Sequence, residues 1–397
     1  MRSPNHEALQ HHWQLNPEVD FLNHGSFGAT PTVVLEAQRQ TQDALERDPI
    51  QFLAFERELE PKLDQVRGLL SDLVGAPESD LAFVRNATDG VNAVLRSFPL
   101  KQGDEIVITD HGYNACNNAA RFVAERSGAT ARVAQIPFPI RHSDDVVRGL
   151  EAEFTDRTRL LLVDHITSPT GLIFPLQPII QTAHARGIRV LVDGAHAPGM
   201  LPLDLRIIDA DYYTANHHKW LCAPKVSGFL YVRPEFQAEV RPTVISHAAN
   251  RPRPGRSRFL AEFDWCGTFD PTPLLALPAA VEFLQSLYPG GMVELMAENR
   301  NLALQARRVL CEALEIEPPS PDTMIGSLAA FPLPPAPSPP QGQVDRLQAK
   351  LYAQDRIEFP IFQGPQPGTR ILRVSLQAYN HIGQIERLAT ALRRELG

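Results

Sequence analysis

Two predicted strands constrain this chain more than any others: Arg159–Asp164, which contains LLLVD, and Ile188–Asp193, which contains RVLVD. Each is a nearly unbroken apolar run closed by an aspartate. A strand with one wet face alternates apolar and polar residues, so an unbroken run reads as a strand buried on both faces. Further short apolar runs at Leu81–Val84, Glu105–Thr109, Ala131–Ile136, Asp211–Thr214 and Phe229–Val232 complete a set of seven predicted strands. Helical patterns lie between most of them, as at Asn114–Ser127 and Leu176–Arg186, with Gly128 and Gly187 placed to cap them. Thr30-Pro31 opens a predicted helix through Arg47, and a second runs from near Pro61 to Gly75. Strand–helix alternation implies an α/β fold, a mainly parallel sheet sandwiched by helices. Ligands of such a sheet bind beyond the carboxyl ends of its strands, so the polar residues just after the apolar runs are the first place to look for chemistry.

The 397 residues suffice for two domains. After Ala276 the pattern changes to long helices (Leu277–Leu287, Met292–Leu314), shorter strands and a last helix. This predicts a large domain over residues 29–275 and a smaller α+β domain built from 1–28 and 276–397. Phe331–Gly342 is proline-rich and predicts an exposed extended loop, and the basic stretch Arg251–Arg258 predicts a solvated one. A net charge of -8 argues against a nucleic-acid partner. Cys116, Cys222, Cys266 and Cys311 form no CxxC pair, and nothing at ligand spacing accompanies His217-His218, so neither a disulfide framework nor a metal site is expected. No apolar run approaches bilayer length and the N-terminus has no apolar signal core, which predicts a cytoplasmic protein without a membrane partner.

Two strand ends carry the chemistry. RVLVD ends at Asp193 and continues GAHAPG; DYYTA continues NHHKW, which contains Lys219. A carboxylate and a lysine at the rim of one parallel sheet suit a pyridine-ring cofactor: the acid keeps the ring nitrogen protonated and the amine forms an imine with an aldehyde. At shorter range Asp193 also fits a helix N-cap, and Lys219 a surface lysine, although its Trp-Leu-Cys neighbours speak against solvent.

The segments VDGAHAPG, TANHHKWLCAP and FLNHGSFGATP resemble the class V aminotransferases, which use pyridoxal 5'-phosphate (PLP) on the fold type I PLP-transferase scaffold. Within that family the resemblance is to the isopenicillin N epimerase-like branch, related to cysteine desulfurases, kynureninase and the carbon–sulfur lyase of ergothioneine synthesis. It runs from about Phe21 to about Asn380. The resemblance implies Lys219 as the Schiff-base lysine, Asp193 as partner of the ring nitrogen, and His196 near the phenolic oxygen. Ser168, in HITSPTG, stands where many relatives place an asparagine on that oxygen. It implies a phosphate site from Ala87, Thr88, Asn216 and His218, with Thr88 at a helix N-terminus, a natural anion site. Thr268, in WCGTFDP, resembles the threonine that reaches the phosphate of a neighbouring subunit, implying a homodimer with shared sites; it also fits a plain turn residue. Tyr113 is the candidate for ring stacking and acid catalysis, against a packed core tyrosine. Arg373, in ILRVSLQAYN, matches the arginine that binds a substrate carboxylate, against an interdomain salt bridge; Asn23 lines the same mouth.

These assignments imply a PLP enzyme acting at Cα of an amino acid or small peptide, epimerase-like. Carbon–sulfur lysis and transamination remain open, as does a fold-related binding protein without catalysis, which retention of Lys219, Asp193, Thr88 and Arg373 together speaks against. The stretch IEFPIFQGPQPGTRIL before Arg373 holds no cysteine, which argues against a persulfide relay.

Overall fold

The computed structural model describes residues 9–364 and 368–397. The first part of the N-terminal stretch read for a sorting signal, and residues 365–367 of the segment before Arg373, lie outside the described residues. The seven predicted strands all form: β1 (Leu81–Val84), β2 (Glu105–Thr109), β3 (Thr130–Ala134), β4 (Thr158–Asp164), β5 (Arg189–Asp193), β6 (Tyr212–Asn216) and β7 (Gly228–Val232). They make one sheet in the order β1-β7-β6-β5-β4-β2-β3. Six strands point the same way, and β7 pairs antiparallel with both neighbours. The 217–227 connection leading into β7 contains no helix, and parallel return requires a longer crossover.

The unbroken apolar runs are explained by two layers of cover. Ile106, Ile108, Leu160, Leu162 and Leu191 pack against helices α1 (Ala87–Ser97) and α2 (Asn114–Ser127) through Val91, Val94, Cys116 and Ala120. Val107, Leu161, Val163, Val190 and Val192 face the other way, onto Ile179 and Ile180 of α3 (Leu176–His184) and onto Leu63 and Leu70. Each such side chain contributes about 1.5–3 kcal/mol by burial, so a charge at Leu161 or Val192 would be among the costliest changes in the sheet.

Several local expectations shift. The predicted helix after Thr30-Pro31 begins at Thr32; Thr30 Oγ1 instead donates to the Ala223 carbonyl. Strand β3 ends at Ala134, because Ile136 N–H leaves the sheet to donate to Asp110. The loop expected over Phe331–Gly342 starts later. Phe331–Leu333 belong to β8 (Leu328–Leu333), where the buried Phe331 pairs with Leu372. Pro332 is tolerated because β8 is an edge strand of the second sheet, ordered β9-β10-β8 with β9 (Ile361–Gln363) and β10 (Arg370–Ser375). The Arg251–Arg258 loop is not a solvated basic strip. Arg253 pairs with Glu60 and stacks over Phe55, and Arg256 bridges Asp64 and Asp264.

A second core surrounds the small antiparallel sheet, from Leu302 and Leu310 to Leu388 and Leu392. The helix Leu277–Ser286, and Gly291–Leu314 as far as Met296, pack instead into the core of the large sheet, so the longer helix serves both cores. The N-terminal segment joins them too. Asp20–Phe21 pairs with Ile357–Glu358, and Leu22 accepts from Ser375 N–H. The chain then crosses to the rim of the large sheet, where Gly28 has φ +69° and a Cβ on it would lie 1.9 Å from the His218 carbonyl oxygen. Only glycine passes this close to the backbone of His218-Lys219.

Candidate active site

Strands β4, β5 and β6 end side by side, and their last residues are Asp164, Asp193 and Asn216. A cavity of about 210 Å³ opens over these ends. Ala87, Thr88, Tyr113, Ser168, Asp193, His196, Asn216, His218 and Lys219, nine of the residues singled out in the sequence, line it. Asn23 and Arg373 adjoin it through Ser26 and Ser168. Thr268 does not join them: it lines a separate, larger cavity with Arg85, Asp89, Val226 and Val244.

Lys219 sits just beyond β6 and is buried. Its Nζ lies 3.0 Å from His196 Nε2, and its carbonyl accepts from His24 Nε2 at 3.0 Å, with Tyr379 Oη 2.7 Å from His24 Nδ1. Burial lowers the amine from its usual value to about 8; Arg373 adds to this, and Asp193 opposes it. A lysine so depressed is largely a neutral nucleophile in mildly basic solution. The rate at which the cofactor-free protein captures pyridoxal phosphate should therefore rise with pH, bend near pH 8 and level off above it, as stopped-flow absorbance would record.

The opposite end is acidic. Asp193 accepts from Ala195 N–H at 3.0 Å and from the Cys116 thiol at 3.1 Å. Asp164 is its register partner on the neighbouring strand, and both are buried. Burial first, then the charge of Asp193, pushes Asp164 well above the usual carboxylate range, although it accepts the Tyr113 N–H. Burial raises Asp193 as well, opposed by its bonds from Cys116 and Ala195 and by the charge of Lys219, so both acids hold a proton more readily than an exposed carboxylate does.

The third end suits an anion. Asn86 caps α1 by accepting from Asp89 N–H, and Thr88 lies in its first turn. Asn216 turns its amide oxygen to Ala87 N–H at 2.8 Å, so that N–H is already held and the amide NH₂ lies on the other side. His218 stands beside them, lowered to about 4 chiefly by burial.

Arg373 is fully buried, and among the described residues no carboxylate lies within ion-pair range. It donates to the Ser168 carbonyl and hydroxyl, Asn23 Oδ1 and Ser26 Oγ, stacks over Phe362, and leaves Nε without a partner. An interdomain salt bridge, the bland alternative, is absent among the described residues. Tyr113 is not a core residue either: it is 44% exposed at the mouth, and burial of the rest raises its phenol above the usual value.

Asp164, Cys116, Trp220 and His24 were not singled out in the sequence. Asp164 carried a usable signal, since it closes an apolar strand as Asp193 does. The others belong to the site only through contacts between distant segments.

A carboxylate, a depressed amine and a helix N-terminus around a cavity of this size, on a mainly parallel sheet with a small appended domain, define a fold type I PLP enzyme. The donor set is of the right chemistry for that cofactor: Asp193 would face the ring nitrogen, Lys219 the aldehyde, and Thr88, Asn216 and His218 the phosphate. The family model of class-V aminotransferases matches residues 28–338, and the chain belongs to that family. It is 35% identical over 391 residues to isopenicillin N epimerase of Streptomyces clavuligerus, covering 95% of each chain. It is 29% identical over 410 residues to a probable chloroplastic L-cysteine desulfhydrase of Arabidopsis thaliana, covering 97% of this chain and 84% of the relative. In fold it is similar to the cysteine desulfurase CsdA of Escherichia coli (TM-score 0.79, 23% identity, 100% and 99% covered). It is likewise similar to the cystine C–S lyase C-DES (TM-score 0.78, 24% identity, 95% and 98% covered).

Proposed function

We propose that this enzyme labilises the Cα proton of an amino acid or small peptide, in the manner of an isopenicillin N epimerase. The observation that carries the reading is Arg373, a buried guanidinium without an acid partner among the described residues, held by Ser26 and Ser168 of the cavity that the depressed amine of Lys219 lines. Arg373 takes the substrate carboxylate through its fork of donors, with Asn23 and Ser26 holding the guanidinium in place. PLP, when bound, supplies a protonated ring that accepts the electrons released at Cα. Lys219 then takes the Cα proton, and Asp193 keeps the ring end positive. The test incubates the enzyme with a panel of amino acids and cysteine conjugates in deuterated buffer. Deuterium at Cα with inversion supports the reading; keto-acid-dependent amino transfer without inversion counts against it.

Tyr113 favours a second reading. Its phenol is held protonated and half exposed at the mouth, where it suits protonation of a departing thiolate. Release of pyruvate with sulfide or a thiol from a cysteine derivative would assign β-elimination instead.

Arg373→Ala should raise KM for the amino acid roughly 100-fold, the equivalent of about 3 kcal/mol for a charge-assisted hydrogen-bonded pair, with a smaller fall in kcat. Steady-state kinetics on purified variants checks this.

We further propose a homodimer in which Thr268 serves the phosphate end of the partner's cavity, which accounts for its distance from its own Lys219 cavity. Mixing Lys219→Ala with Thr268→Ala under subunit exchange should restore activity, because one of the two sites in each mixed dimer is then intact. No gain on mixing, or a monomer in sedimentation, contradicts it.

A further inference from the structure

We propose that Trp220 is a positioning residue that fixes the tautomer of His196, and through it presents an N–H to the amine of Lys219. The proposal deepens the reading of Lys219 as the reacting amine and rests on it. The Trp220 indole Nε1–H lies 3.2 Å from His196 Nδ1. An indole nitrogen only donates, so Nδ1 must be the bare, accepting nitrogen of the ring. A neutral imidazole then carries its proton on Nε2, which lies 3.0 Å from Lys219 Nζ. That N–H needs a lone pair to point at. A neutral amine has one and an ammonium has none, so the indole bond, two residues' reach away, selects the nucleophilic form of the lysine.

The surroundings hold this arrangement. His196 is fully buried, and burial, Lys219, Arg373, His218 and His24 all push it toward the neutral form. Asp193, Asp164 and Cys116 face Lys219 from the acidic end and favour its charged form, while Arg373 opposes them. Trp220 itself is fully buried and packs against His24, ring centroids 4.9 Å apart. Its backbone cannot drift: Gly199, at φ +84°, passes so close that a Cβ there would lie 2.5 Å from the Trp220 carbonyl. The same Nε2–H is the donor that any ligand oxygen replacing the amine would meet, so loss of the indole N–H would be felt with and without cofactor.

The experiment is a double-mutant cycle of Trp220→Phe and His196→Gln. Glutamine brings its own amide N–H and does not need the indole to orient it. In the cofactor-free protein, the pH dependence of Lys219 modification by trinitrobenzenesulfonate is followed by peptide mass spectrometry. Trp220→Phe should raise the midpoint by about one pH unit in the wild-type background, the effect of one hydrogen bond lost. In the His196→Gln background it should leave the midpoint nearly unmoved. In the loaded enzyme Trp220→Phe should lower kcat about tenfold with KM within about twofold. Equal shifts in both backgrounds would assign Trp220 a packing role only, and no shift in the wild-type background would overturn the proposal outright. Should the phenylalanine variant fail to fold, replacement of Trp220 by benzothienylalanine, which keeps the shape and deletes only the N–H, decides by the same midpoint. Failure of the Lys219 reading itself would be seen separately, as cofactor attached at another lysine while the midpoint shift persists.

Discussion

Lys219→Ala should abolish the visible absorption of the cofactor-loaded protein and lower turnover at Cα by about 10⁴-fold or more, the scale of losing a general base that is also the attachment point. The structure gives no substitute at the same place. Lys225 is the next lysine, but it faces away, toward Thr30 Oγ1 at 3.4 Å, in a cavity lined by Trp13, Leu15 and Gln38. Folding should survive, because alanine removes a buried amine that burial already disfavours as a charge. Circular dichroism and thermal melting of the cofactor-free variant should therefore match the parent. Turnover within tenfold of the parent would mean that another group carries the reaction.

Asp193→Asn should cost about 100- to 1,000-fold in kcat, the loss of one oriented charge at a water-excluded centre, while substrate KM moves little. Stability should move the other way. Burial raises the folded-state affinity of both Asp193 and Asp164 for protons above that of the unfolded chain. Between the unfolded and folded values the folded chain binds more protons, so stability falls as pH rises through that interval. Asparagine at 193 removes one of these costs. The cofactor-free variant should melt no lower than the parent at pH 7 and should show a flatter loss of stability from pH 4 upward. A variant that keeps full kcat, or that loses several kcal/mol of stability, would show that Asp193 is a structural cap rather than the partner of a cationic ring.

What the sequence disclosed, and what it hid, follows from the range of the interactions. The large sheet was legible because LLLVD and RVLVD can be buried on both faces only between helix layers, and Asp193 and Lys219 were legible as polar residues where those runs end. The reversal of β7 was not, since strand direction depends on the path of the 217–227 connection rather than on local pattern. The Arg251–Arg258 loop read as solvated because its acids, Glu60, Asp64 and Asp264, lie elsewhere in the chain or on the following helix. Asp164 was passed over although it ends a strand as Asp193 does; only the register pairing puts the two acids side by side. Trp220, His24 and Cys116 act through partners 24, 195 and 77 positions away, and no local window can show that.

The chemistry of the site turns on which amine holds the cofactor. Borohydride reduction of the loaded enzyme, followed by proteolysis and peptide mass spectrometry, should find the phosphopyridoxyl group on the peptide containing His218-Lys219-Trp220 and on no other. Its recovery on Lys225 or a surface lysine, with position 219 unmodified, would contradict the assignment of the site.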